Sequence, residues 1–421
     1  MAFADNAELT CGIAALATGG VILRPFRLPE AVWAVLGAVA LVAFGLLSWR
    51  DALAGVAKGT DVYLFLAGVM LIAELARREG LFDWLAAWAV AYARGSPQRL
   101  FWLIYAVGTL VTVLLSNDAT AVVLTPAVAA ATRAAGATPL PYLLICAFIA
   151  NAASFTLPIS NPANLVVFGS AMPPLLDWLA RFGLASVVSI AITYAVLRFT
   201  QRHALAAERI AARVERPTLG RGGWATAWAI AAFGVALLMC STFGVALGWP
   251  TFVCGALATL VIVALERRSP WPVLRNVSWE VLPLVAGLFV LVEGLDRAGL
   301  IRALHGILSG AVAAAPHGTP WGVGAAVAFL CSLVNNLPAG LVAGSVVAAD
   351  HLPAPVTNAI LIGVDLGPNL SITGSLATIL WLIALRRDGH EVGALRFLKI
   401  GCLVMPPALA GALAAMLLTS W

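Results

Sequence analysis

A chain of 421 residues in which 62% are hydrophobic and only 11% charged cannot fold as a water-soluble domain, so composition alone requires a polytopic, all-α membrane protein. A net charge of +5 would suggest nucleic acid in a soluble protein, but here the basic residues cluster between apolar runs; they set topology, and no nucleic-acid partner is expected. The six cysteines (Cys11, Cys146, Cys240, Cys254, Cys331, Cys402) form no close pair, so neither disulfides nor a thiolate metal or metalloid site is expected.

In chain order, the first apolar run, 8 to 23, follows an acidic start (Asp5, Glu8) without a basic n-region, and reads as a span rather than a cleaved signal peptide. Runs 31 to 47 and 60 to 76 are the next two spans, and the short run 81 to 93 is an interfacial helix. The pieces 98 to 115 and 119 to 134 flank a polar tip, Ser116-Asn117-Asp118, and form a re-entrant hairpin over 98–134 that enters and leaves on one side of the membrane. The fourth span, 139 to 171, is a broken helix, interrupted by Pro158 and by Ser160-Asn161-Pro162-Ala163-Asn164. A fifth span covers 178 to 199. The loop 200 to 223, rich in Arg and carrying Glu208 and Glu215, reads as a solvated cytoplasmic linker between a first domain, 1–199, and a second, 224–421.

The second domain repeats the first. Spans are expected at 224 to 242, 248 to 265 and 279 to 294, then an interfacial helix at 300 to 313. A second hairpin, 320–350, follows around Val334-Asn335-Asn336, then a broken helix at 355–385 with Pro368 and Ile372-Thr373-Gly374-Ser375, and a last span at 394 to 419. Gly68, Glu74, Gly80 and Leu81 recur as Gly287, Glu293, Gly299 and Leu300, an offset of 219 residues (299 − 80). Five crossings per copy, ten in total, invert the second copy, place both termini outside and send the hairpins in from opposite faces. With the 200–223 loop inside, only Arg50, Lys58, Arg181, Arg297 and Arg302 of the 25 basic residues fall outside, a strong positive-inside bias.

Paired interruptions in matching halves point to a transporter's central site, because an unwound segment frees backbone polar groups and aims helix ends at the membrane centre. Asn117, Asn161, Asn335, Asn336, Thr373 and Ser375 are the expected hydrogen-bonding residues for a solute, and Asp118 and Asp365, the only carboxylates deep in these helices, are the expected carriers of a coupling ion. Glu74 and Glu293, near span ends, suit structural pairing with Arg77 and Arg297. Trp33, Trp49, Trp178, Trp224 and Trp271 read as interfacial anchors. His305, His317, His351 and His390 are placed in loops, and no nucleophile–base pair or metal motif occurs in the spans, so an intramembrane enzyme is disfavoured. No phosphate-binding glycine loop is present and no cofactor is expected.

Ser116-Asn117-Asp118-Ala119-Thr120-Ala121-Val122-Val123-Leu124-Thr125-Pro126, Ser160-Asn161-Pro162-Ala163-Asn164-Leu165, Asn335-Asn336-Leu337-Pro338 and Asp365-Leu366-Gly367-Pro368-Asn369, followed by Gly374-Ser375-Leu376-Ala377-Thr378, resemble the ArsB-type arsenite efflux permeases, in the ArsB/NhaD branch of the ion transporter superfamily. The matched motifs extend the solute-binding set to Thr120, Asn164 and Asn369. The resemblance implies export of arsenite or antimonite, as the neutral hydroxide, in exchange for protons, in a bacterial inner membrane, with an elevator-like motion of the hairpins against a scaffold. It also implies that a soluble arsenical ATPase can serve as partner; homodimerisation is left open. Sodium-coupled dicarboxylate carriers have neutral tips where this chain has Asp118 and Asn336, and a fixed negative charge would repel a carboxylate. A sodium/proton antiporter, with sodium held by Asp118 and Asp365, is the alternative.

Overall fold

The computed structural model describes residues 2–211, 218–350 and 352–419; Arg213, Glu215, Arg216 and His351 lie outside the described residues. Among the described residues every regular element is helical. Six helices among the described residues are long and apolar enough to cross a bilayer: Asn6–Leu23, Pro97–Leu114, Leu175–Ala207, Arg221–Thr242, Gly248–Leu265 and Ala394–Thr419. The pair Trp49–Lys58 and Thr60–Arg78, bent by 47°, makes a seventh. Pro97–Leu114, expected as one arm of a hairpin, thus has the length of a full crossing, whereas Glu30–Ala43, at 14 residues, reaches only about 21 Å. Two helices were not expected, Trp49–Lys58 and Trp271–Asn276. The first is started by Ser48, whose hydroxyl accepts from Asp51 N at 3.2 Å, and carries Asp51 in its first turn and Lys58 in its last.

The recurring glycines have a local cause. Gly80 and Gly299, at φ +72° and +87°, follow the helices Thr60–Arg78 and Val281–Arg297 and turn the chain directly into Leu81–Ala93 and Leu300–Ala314. A side chain is strained in that left-handed region, which glycine enters freely. The packing of these helices is reciprocal: Thr60–Arg78 runs along Gly248–Leu265, Val281–Arg297 runs along Glu30–Ala43, and Leu175–Ala207 lies against Ala394–Thr419. Shifting either of the first two pairs by 219 residues approximately generates the other. Close approach is set by small residues. A Cβ on Gly68 would strike the Thr251 carbonyl, and one on Gly287 the backbone of Ala34, while one on Gly183 meets nothing within 4 Å. Gly68→Ala and Gly287→Ala are therefore expected to lose about 1–3 kcal/mol to overpacking, seen as a lower Tm and less monodisperse protein in detergent, and Gly183→Ala to behave as wild type.

The helices flanking the interruptions form the centre of the molecule. Leu140–Ala152 is buried from Pro141 onward and Ala354–Leu366 from Val356 onward, so both are covered on every side by protein. Glu74 pairs with Arg77 through two bonds of 2.6 Å. Glu293 pairs with Arg297 at 3.2 Å and with Lys58 of the first half at 2.6 Å, and Arg297 continues to Asp51 at 2.7 Å. Two expectations are corrected here. Trp178 is no interfacial anchor: it is fully buried against Phe168 and Phe182, and its indole N–H donates to the Phe155 carbonyl at 3.1 Å, an unwound carbonyl that needs a donor. His305 lies within the helix Leu300–Ala314, not in a loop, beside Ser309 at 3.4 Å.

Candidate transport site

The first tip follows from its sequence. Pro97–Leu114 ends at Leu115, and Ser116 turns extended (φ −175°, ψ 166°), so that its hydroxyl caps the returning helix by accepting from Ala119 N at 3.1 Å. The return passes through a widened π-helical turn, Thr120–Leu124, before Thr125–Ala134. Pro126 lacks a backbone N–H and crowds the carbonyl one turn earlier, and the Thr125 hydroxyl donates to the Thr120 carbonyl at 3.3 Å instead. The Asn117 side chain accepts from Asp118 N at 2.9 Å, and the Thr120 hydroxyl is turned back to the helix Pro97–Leu114, 2.8 Å from that of Thr112. The half-buried carboxylate of Asp118 has no hydrogen-bond partner among the described residues.

At the second tip Thr319–Val334 ends on Asn335, held at φ 75°, ψ 148°, a conformation almost confined to glycine. Its side chain over-determines it: Oδ1 accepts from Leu337 N at 3.2 Å and Nδ2 donates to the Thr373 carbonyl at 3.3 Å. Asn336 N donates to the Gly374 carbonyl at 2.8 Å, whereas the buried amide side chain of Asn336 makes no hydrogen bond among the described residues. Asp118 and Asn336, the third residues of the two tip triplets, therefore both keep side chains free for a ligand.

Each tip docks on the break of its own half. The Ser160 hydroxyl donates to the Val113 carbonyl at 3.0 Å in the first half, and the Asn335 and Asn336 bonds to 373–374 do the same in the second. The breaks restart as helices on their caps: Asn161 accepts from Ala163 N at 3.0 Å, and Ser375 exchanges bonds with Thr378 in a capping box. Asn164 spends its N–H₂ on the carbonyls of Ser154, Leu157 and Pro158, fixing the first break's path.

Amide side chains then join the two halves at their centre. Asn161 Nδ2 donates to Asp365 Oδ1 at 2.5 Å; Asn151 Nδ2 donates to Asn369 Oδ1 at 3.0 Å, and Asn369 Nδ2 to the Phe148 carbonyl at 3.1 Å. The Ser154 hydroxyl donates to the Asn151 carbonyl at 2.8 Å and ties the first break to these amides. The structure thus brings Asn161, Asn164, Asp365 and Asn369 into one buried network, and Asn335, Thr373 and the backbone of Asn336 into another. Asn117, Thr120 and Ser375 serve their own segments, and no hydrogen bond among the described residues links 116–120 to 335–336. Asn151 and Ser154 were missed by sequence reasoning because each is a single polar residue in an apolar run. One signal existed: Asn151 precedes the cap Asn161 by ten residues, as Asp365 precedes the cap Ser375 (161 − 151; 375 − 365).

Comparison with known proteins agrees with this architecture. The family described as Citrate transporter, CitMHS, matches residues 16–363. The arsenical pump membrane protein of Yersinia enterocolitica is 28% identical over 369 residues, covering 83% of this chain and 84% of the relative, and that of Escherichia coli is 29% identical over 370 residues with the same coverage. An uncharacterized transporter of Mycobacterium tuberculosis is 27% identical over 415 residues, covering 93% and 94%. Among solved structures, the YdaH transporter of Alcanivorax borkumensis aligns with a TM-score of 0.56 at 16% identity, over 87% of this chain and 86% of that one. That likeness is one of fold.

Proposed function

Because the chain belongs to the citrate transporter family, CitMHS, of the ion transporter superfamily, we propose that it exports arsenite and antimonite, as neutral trihydroxides, in exchange for protons. It is a multi-pass membrane transporter, and its relatives are named as membrane pumps and transporters. The choice of a neutral solute rests on the charge of the site. Segments 116–120, 153–164, 334–337 and 367–378 contain no Lys or Arg, while Asp118 stands unpaired at one tip and Asp365 just before the second break. A tricarboxylate entering there would meet two carboxylates and no cation in low dielectric. A trihydroxide has donors for Asp118 and acceptors for Asn336, and carries no charge to be repelled. With a neutral solute the proton must ride on the protein, and Asp118 and Asp365 are the residues to carry it.

In this scheme ten crossings form two inverted repeats, the short helices being completed by their breaks, hairpins and interfacial helices, with both termini outside and 200–223 in the cytoplasm of a bacterial inner membrane. A separate soluble arsenical ATPase would dock on the cytoplasmic face. The unpaired oxygen of Asp365 favours one second reading, a sodium/proton antiporter, since hard cations take such oxygens. Everted membrane vesicles separate these. An acidified lumen is expected to drive accumulation of arsenite and antimonite but not of citrate or sodium; uptake of citrate alone, or of sodium alone, would replace the arsenite assignment.

A further inference from the structure

The face of Ala354–Leu366 that carries Asp365 carries a second polar side chain. Asn358 lies seven residues earlier, two helical turns, so the two side chains project in nearly the same direction, roughly 10 Å apart along the axis. The opposite face is occupied, since Gly363 and Gly367 abut the helix Thr319–Val334 at Gly324 and Ala328. Asn358 is fully buried, and neither its N–H₂ nor its carbonyl oxygen has a partner; Asp365 Oδ2 is likewise unpaired, its Oδ1 being held by Asn161. A dry interior selects against an amide with both ends unpaired, because an apolar side chain would fill the space without that penalty. Water is the partner that satisfies donor and acceptor together, and Asn358 offers it both while Asp365 Oδ2 offers an acceptor two turns on. Asn358 also stands about one turn from the helix start, where Pro353 and Ala354 are exposed.

We propose that Asn358 is the middle station of a water-filled path by which a proton reaches Asp365 from the membrane face at which Ala354–Leu366 begins. About three waters span the distance from Asn358 to Asp365. A proton entering at the helix start is passed along these waters, with the Asn358 amide orienting them as donor and acceptor. It binds Oδ2, and the carboxylate becomes neutral while the Asn161 bond to Oδ1 stays in place. The Cys331 thiol, on Thr319–Val334, is a titratable group within electrostatic reach of Asp365, and no ion pair to Asp365 forms among the described residues. The Asn358 path rests on the proton exchange proposed above, with Asp365 as a carrier, and it names the side from which that carrier is loaded.

The test uses the full chain in proteoliposomes, with Asn358→Leu, which removes the station, and Asn358→Ser, which keeps a hydroxyl and room for water. Asn358→Leu is expected to keep its Tm and its gradient-free arsenite exchange while losing about tenfold or more of gradient-driven flux; Asn358→Ser restores most of it. In parallel, oxidative labelling of Asp365→Cys by hydroxyl radicals generated radiolytically from bound water, quantified by mass spectrometry at position 365, should slow about tenfold when Asn358→Leu is added. Labelling is read without any transport, so it decides the path even if arsenite is not the substrate. Wild-type gradient-driven flux together with unchanged labelling in Asn358→Leu would overturn the path. Should Asn358→Leu fail to reach the membrane, the smaller Asn358→Val carries the same comparison.

Discussion

Asp118→Asn and Asp365→Asn are each expected to abolish arsenite accumulation driven by a pH gradient, by about two orders of magnitude, while sparing downhill exchange. Asparagine keeps the shape of either residue, and at 365 its carbonyl oxygen can still accept the bond that Asn161 now gives to Oδ1. What it cannot do is take up or release a proton. Loss of ordinary folding would lower both fluxes together, so the ratio of gradient-driven to downhill flux is the quantity to measure. Should both variants keep wild-type accumulation, neither residue carries the proton. Glu74 and Glu293 would then be examined next, although each is committed to an ion pair at a helix end.

The second large effect is expected at Asn335. Its backbone sits at φ 75°, ψ 148°, where alanine is strained by about 1–3 kcal/mol, and its amide bonds to Thr373 and Leu337 are worth about 1 kcal/mol each. Asn335→Ala keeps that strain and loses both hydrogen bonds that offset it, and is expected to reach the membrane at reduced levels with arsenite efflux nearly absent. Asn335→Gly relieves the backbone but not the lost amide: its protein level is expected near wild type, with efflux still at least several-fold weaker. If the glycine variant transports normally, the side chain only holds the tip's backbone in place and has no part in the solute path.

Much of this arrangement was legible in the sequence where a residue type forces a backbone event. Pro158, Pro162 and Pro368 mark the breaks because none can donate a helix bond, and each is found in or beside an unwound turn. The offset Gly80 and Gly299 mark real left-handed turns, and the Asn-containing tips are real helix restarts. Less was readable where orientation decides. Thr120 looks like a tip ligand in the chain but points at Thr112, a matter of which side of a π-helical turn it leaves from. Trp178 stands at a span end, the position of an anchor, yet the unwound Phe155 carbonyl draws it inward. Trp49–Lys58 hides between two apolar runs because its own face is mixed, and Asn151, Ser154 and Asn358 hide because a single polar residue barely alters the hydropathy of its helix.

Coupling between arsenite and protons can be read in a single reconstituted system. The purified chain is reconstituted in proteoliposomes with a pH-sensitive dye inside, an arsenite gradient is imposed without citrate or sodium, and proton and arsenite movements are recorded together. Arsenite moving down its gradient should drive protons the opposite way, and an imposed pH gradient should in turn drive arsenite uphill. Arsenite flux that leaves internal pH unchanged, or proton flux that requires sodium or citrate and ignores arsenite, would contradict that coupling.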